Sequence, residues 1–227
     1  MEIVLVRHGQ PDWEPGGRAV DDPTLTALGH EQARRVAERL AGEAFDAIYV
    51  SPLRRARETM EPVAEQLDME PRVESWLREL GLPEMKGMTS EDVQSFFGAA
   101  RERELAQWWD GPPGGESFRH FHERVSAGAE SLLLGDHGMR IHEDSGHRIW
   151  RLPDAPDRIL VVAHEGTNAV LLSHLLGIEP VPWEWIRFSS VWCGISRLRA
   201  VPVASGAVWV LDGFNRVSHL AGLEPGG

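Results

Sequence analysis

Three short runs of this chain are almost wholly apolar, and each ends in polar side chains. Ile3, Val4, Leu5 and Val6 precede Arg7-His8-Gly9. "FDAIYVS" (45–51) precedes Pro52-Leu53-Arg54-Arg55. "RILVVAH" (158–164) ends in His164. Short runs rich in Val and Ile read as strands buried on both faces, the pattern of parallel sheets covered by helices. A helical pattern follows each. Ala33, Val36, Ala37 and Leu40 mark one face, with Thr24 or Thr26 placed to cap it. Leu53, Ala56, Met60, Val63 and Leu67 are spaced 3, 4, 3, 4, and Pro62 is expected to kink that helix or restart it. A third helix is expected from Gly166 to Leu176.

Helices are also expected over 89–109 and 116–134, with closing strands near 191–199 and 206–212. This order gives an α/β fold, a three-layer α/β/α sandwich with a mostly parallel sheet and helices on both faces. The stretch 135–158 is polar and reads as a surface insertion, an inserted loop or lid over a pocket mouth that Trp13 and Trp150 would line. No repeat or linker divides the chain, so one domain over 1–227 is expected.

The chain has 227 residues, 42% hydrophobic and 26% charged, with a net charge of −12. A negative field of that size argues against nucleic acid or an anionic membrane as partner. The one cysteine, Cys193, permits no intrachain disulfide, and no basic leader precedes an apolar run, so a cytoplasmic protein is expected. Nine tryptophans are read chiefly as core and interface filling. The Trp-rich stretch 183–192 is core or a homodimer face.

Ligands of open α/β sheets gather beyond the carboxyl ends of strands. Three such ends carrying Arg7, His8, Arg55 and His164 predict one cationic pocket, with helix N-termini near Leu53 and Glu165 adding N–H donors. Arginine forks match phosphate oxygens, so the expected ligand is a small phosphorylated substrate. His137, His142 and His147 are spaced by five, which does not align them on a helix face, and no metal site is expected.

The chain resembles the histidine phosphatases, the phosphoglycerate mutase-like superfamily. "LVRHG" (5–9), "LTALGHEQA" (25–33), "SPLRRARET" (51–59), "LREL" (77–80) and "VVAHEG" (161–166) carry the resemblance, with a weaker echo in "FNRVSHL" (214–220). The resemblance implies a phosphoglycerate mutase-like fold and a phosphohistidine intermediate on His8. Arg7, Arg55 and His164 would bind the phosphoryl oxygens, joined at the phosphate site by Gln10 and Glu165. Glu79 would donate a proton to the leaving oxygen. Arg54 is expected at the pocket rim or in solvent. Glu116, where a turn runs into a helix, is expected to be orienting or structural. The implied enzyme is a histidine acid phosphatase-like phosphomonoester hydrolase, working without cofactor or metal.

The chain departs from the family pattern in places. Pro11 stands where a hydroxyl residue is usual, and Glu14 where the mutases carry asparagine. Glu165 replaces the first glycine of His-Gly-Gly, and "PEMKGMT" (83–89) replaces the usual segment. An anion at Glu14 would repel phosphate unless it turns away. The long mutase motif after the RHG triplet is absent. Phosphatase action is therefore the first expectation; a phosphoglycerate mutase-type phosphotransferase, or a phospho-ligand binding module without turnover, is the alternative.

Overall fold

A computed structural model describes residues 1–223. In chain order its elements are β1 (Glu2–Arg7), α1 (Ala27–Leu40), β2 (Ala47–Val50), α2 (Arg54–Leu67), β3 (Arg72–Val73), α3 (Ser90–Arg101), α4 (Phe118–Gly135), β4 (Arg140–Asp144), β5 (His147–Arg151), β6 (Arg158–Ala163), α5 (Glu165–Leu175), α6 (Glu184–Arg187), β7 (Ile195–Val203) and β8 (Gly206–Arg216). Among the described residues, no helix is long and apolar enough to cross a membrane.

All strands join one sheet in the order β3-β2-β6-β1-β7-β8-β5-β4. Side chains of β1 alternate between its faces. Ile3 and Leu5 enter a core with Phe121, Val125 and Leu172 of α4 and α5. Val4 and Val6 enter a second core with Val36 and Leu40 of α1 and Met60 and Val63 of α2. Both faces are thus covered, which is why these strands carry no polar alternation. Burying a Val, Leu or Ile side chain contributes roughly 1.5–3 kcal/mol.

The helices start and stop for local reasons. Thr26, not Thr24, caps α1 by accepting the Gly29 amide. Thr89 and Asp92 form a reciprocal capping box on α3. The helix expected over 89–109 ends early. The Arg103 guanidinium turns back onto the Ala100 and Gly111 carbonyls, and Leu105–Asp110 continues as a 3₁₀ turn. α2 runs through Pro62 without a break. The buried stripe of Ala56, Met60 and Val63 outweighs the loss of one backbone hydrogen bond.

Two expectations need correction. The sheet is mixed rather than mostly parallel: β3, β2, β6 and β1 pair in parallel, while β7, β8, β5 and β4 add antiparallel neighbours. The stretch 135–158 is not an irregular lid. Residues 140–151 form a hairpin that extends the sheet, with Trp150 opposite Ala207 of β8. Ala207 pairs with Pro202, toward the end of β7 that lies beside Glu2, the amino end of β1. The hairpin therefore sits at the opposite end of the sheet from His8. Trp150 is buried against Trp209 and lines no mouth.

Candidate active site

Sheet order brings the three predicted strand ends together. β6 lies between β2 and β1, all parallel, with Arg7 opposite Ala163 and Val50 opposite Val162. The residues that follow these positions, His8, Ser51 and His164, thus emerge side by side. The rings of His8 and His164 meet edge to face at 5.0 Å.

Backbone sterics fix the loop that carries His8. A Cβ on Gly9 would stand 2.6 Å from the Gly29 carbonyl oxygen, and one on Gly29 would stand 2.2 Å from the Gln10 oxygen. Only glycines allow this approach of the loop to the start of α1. The Gly9 amide donates to the Thr59 hydroxyl at 2.9 Å, and that hydroxyl donates to the Arg55 carbonyl at 2.6 Å. One side chain of α2 thereby ties the His8 loop to Arg55.

His8 is buried, and its Nδ1–H donates to the Gly9 carbonyl at 2.7 Å. A carbonyl only accepts, so the proton is on Nδ1 and the lone pair on Nε2. The Arg55 Nε–H donates to that lone pair at 3.2 Å. Burial, reinforced by Arg55 and Arg7, holds the His8 pKa well below its ordinary value. Burial does the same for His164, again with Arg55 adding to it. Both rings are neutral at pH 7. His164 Nε2 pairs with the Ser51 hydroxyl at 2.7 Å, and that oxygen also takes the Leu53 amide at 3.3 Å. A serine hydroxyl both donates and accepts, and where Ser51 donates to Nε2 the His164 ring proton sits on Nδ1.

Arg55 is buried beneath Trp13, its guanidinium 4.9 Å from the ring centroid. Burial lowers its pKa to about 10, which leaves it charged. Arg7 pairs with Glu165 at 3.1 Å, donates to the Ser190 carbonyl, and lies 5.7 Å from the Trp192 ring centroid. Arg7 Nε, Arg55 Nη1 and His164 Nδ1 are buried without any hydrogen-bond partner among the described residues. Buried polar nitrogens without partners are rare in a folded protein, and here three of them belong to one cluster.

Glu79 approaches from the segment after β3. Its carboxylate accepts the Gly166 amide at 2.9 Å and the Leu80 amide at 3.0 Å. It supplies the N-terminal cap that His164 does not give α5. Burial raises its pKa against those hydrogen bonds and the pull of Arg55 and Arg7. A Cβ at Gly166 would lie 2.6 Å from Glu79 Oε1, which explains the glycine after Glu165.

Other acids take supporting places. Glu116 grips Arg124 through both oxygens, and Arg124 donates to the Trp76, Arg78 and Glu79 carbonyls. Glu116 thus orients the Glu79 segment. Glu14 accepts from Ser90 at the start of α3 and turns from the cluster. Arg54 is exposed and pairs with Glu58. Two residues expected at the phosphate site make other contacts here. Glu165 accepts from Ser189, Ser190 and Arg7, so its charge anchors Arg7. The Gln10 side chain accepts from Thr26 at 2.7 Å and has no hydrogen bond to the Arg and His set.

Sequence reasoning passed over Ser51, Thr59 and Asp22. Asp22 lies 3.7 Å from Arg55 and accepts the Arg54 amide at 3.0 Å. Ser51 and Thr59 stood inside a quoted motif, but only the fold shows what they hold. Among the described residues, no group of three or more His, Cys, Asp or Glu side chains gathers as metal ligands. His137 bonds instead to Tyr49 and Asp157.

Residues 3–205 match the family model of the Histidine phosphatase superfamily (branch 1). The chain belongs to the histidine phosphatase superfamily. A glucosyl-3-phosphoglycerate phosphatase of Mycobacterium tuberculosis is 31% identical, over 96% of this chain and 96% of its own. A probable 2-carboxy-D-arabinitol-1-phosphatase of Arabidopsis thaliana is 29% identical over 99% of this histidine phosphatase-type chain, which spans 44% of the plant protein's length. The structure of mycobacterial glucosyl-3-phosphoglycerate phosphatase with VO3 superposes with a TM-score of 0.72 at 29% identity, covering 95% of this chain and 99% of the other. The chain thus shares its fold, along nearly its whole length, with a protein solved in complex with VO3.

Proposed function

We propose that this protein is a phosphomonoesterase that works through a phosphohistidine on His8. The observation that carries the reading is the set of partnerless buried nitrogens on Arg7, Arg55 and His164, gathered around the neutral Nε2 of His8. A phosphoryl dianion would satisfy all three, and two arginines would balance its charge.

His8 Nε2 attacks phosphorus as the bond from phosphorus to the ester oxygen breaks. The Arg55 N–H now on Nε2 passes to a phosphoryl oxygen. Glu79 gives its proton to the departing oxygen, and the alcohol leaves. Glu79, now a carboxylate, takes a proton from water. That water's oxygen attacks phosphorus, the bond to Nε2 breaks, and inorganic phosphate leaves with Glu79 reprotonated. The net reaction consumes ester and water and yields alcohol and phosphate. The positive charge comes from Arg7 and Arg55, so a chelator should leave turnover unchanged.

A neutral His8 with a lowered pKa and a protonated Glu79 with a raised one favour an optimum on the acid side of neutrality, as in an acid phosphatase. Relatives named as phosphatases support hydrolysis, and relatives of similar identity named as probable phosphoglycerate mutases keep mutase-type transfer as the second reading. The test uses 4-nitrophenyl phosphate with wild type and His8→Ala, plus trapping of the phosphoenzyme by quenching into alkaline denaturant. A loss of more than about a thousandfold with an acid-labile adduct on wild type alone is expected. Retained activity in His8→Ala would refute the reading. Greater transfer to glycerol or glycerate than to water would assign phosphotransfer instead.

A further inference from the structure

A cleft of about 560 Å3 adjoins this cluster, lined in part by Glu79, Glu165 and Gly166. Its other walls include Leu80, Leu82, Phe97, Trp108, Trp185 and Ile186. Trp185 stacks on Trp108, ring centroids 6.5 Å apart and planes at 21°. Part of the tryptophan set thus builds a pocket wall rather than only filling the core. Leu82 and Ile186, at the rim, are 42% and 63% exposed. Arg101 lines the cleft at an exposed position, and the other polar groups in the lining have other work. Glu165 holds Arg7, the Arg103 guanidinium holds the Ala100 and Gly111 carbonyls, and the Trp108 N–H donates to the Arg103 carbonyl. Among the described residues, no Ser, Thr, Asn, Gln, Tyr or His side chain lines this cleft.

We propose that the substrate is a phosphate monoester of an apolar alcohol or phenol, whose body lies in this cleft while its ester oxygen meets Glu79. The inference rests on the phosphomonoesterase reading and adds the leaving group to it. Glu79 belongs both to the phosphate cluster and to the cleft wall, so a leaving oxygen placed for protonation points its carbon substituent between Leu80 and Trp185. A polyol in that position would set its hydroxyls against mostly apolar walls, with Arg101 at the surface and Glu79 at the ester end to meet them, and every hydroxyl left over would carry a penalty. An alkyl chain or aromatic ring would gain transfer energy with each carbon. The volume accommodates a group larger than one aromatic ring.

The test is a series of n-alkyl phosphates from ethyl to hexyl beside glycerol 3-phosphate, with leaving groups of similar basicity. The kcat/KM of the wild type is expected to rise about two- to fourfold per methylene, following the transfer value for a buried CH2. Glycerol 3-phosphate is expected to trail propyl phosphate by about tenfold or more, from its unpartnered hydroxyls. In Leu82→Asn and Ile186→Asn, both changed at exposed positions, the hexyl-to-ethyl ratio should fall severalfold. A flat series, or glycerol 3-phosphate equal to or better than propyl phosphate, overturns the apolar leaving group while turnover itself upholds the phosphatase. No turnover of any ester, with no phosphohistidine formed, overturns the phosphatase reading and this inference with it.

Discussion

Glu79 and Gly166 are joined across the site: the Glu79 carboxylate accepts the Gly166 amide at 2.9 Å, at the N-terminus of the helix that follows His164. One contact therefore locates the proposed proton donor relative to the proposed phosphate ligand. Gly166→Ala would push a methyl group into the carboxylate, with a Cβ 2.6 Å from Oε1. Its kcat should fall while the fold persists.

Glu79→Gln keeps an oxygen for the Gly166 amide but has no proton to give. Hydrolysis of an alkyl phosphate should slow by about 10²–10³, within the usual range for general acid catalysis. A nitrophenolate leaves without help, so 4-nitrophenyl phosphate should lose less than about tenfold in its phosphorylation step. The wild-type rate on alkyl esters should decline as pH rises through the elevated Glu79 pKa, and Glu79→Gln should lack that limb. Equal losses on both esters would remove Glu79 from the acid role.

Buried neutral imidazoles set the response to acid. The folded pKa values of His8 and His164 lie well below the ordinary 6.5. Below pH 6.5 the unfolded chain binds protons that the folded chain refuses, so stability is full above that value and falls as pH drops toward the folded values. A thermal melt series from pH 7.5 to 5 should show a declining Tm, with a shallower decline in His8→Asn. An unchanged slope would show that His8 does not contribute.

Glu165→Gln removes the anion beside Arg7 while leaving an oxygen for the Ser189 hydroxyl and the Ser190 amide. Inhibition by inorganic phosphate should tighten, its Ki dropping about threefold in a site where one negative charge has gone. Weaker inhibition would mean that holding Arg7 in place matters more than the charge.

Thr59→Val leaves the buried Gly9 amide without its acceptor. An orphaned buried group costs about 1–3 kcal/mol, so calorimetry should show Tm lower by roughly 2–12 °C for a chain of this size. Thr59→Ser, which keeps the hydroxyl, should recover most of the loss.

The parallel half of the fold was legible because its signals are local. Runs such as Val4-Leu5-Val6 and Leu160-Val161-Val162 need two covered faces, and strand ends in such a sheet converge, so His8 and His164 declared themselves. The hairpin at 140–151 was not read, because its strands hold few apolar residues (Ile141, Ile149 and Trp150) on an exposed edge. Its turn did carry a signal. Ser145 and Gly146, with φ of 54° and 78°, make the two-residue turn that suits antiparallel strands. The duties of Glu165 and Arg124 depend on partners distant in sequence, Arg7 and the 76–79 carbonyls, and no spacing rule reaches them.

The contact between Gly9 and Gly29 has a consequence for timing. Hard-core repulsion between two stretches of main chain does not vary with salt, protonation or ligand. The loop bearing His8 is thus set when the chain folds, and no binding energy need be diverted to arrange it when an ester arrives. What a substrate must still do is displace one arginine N–H from a waiting lone pair.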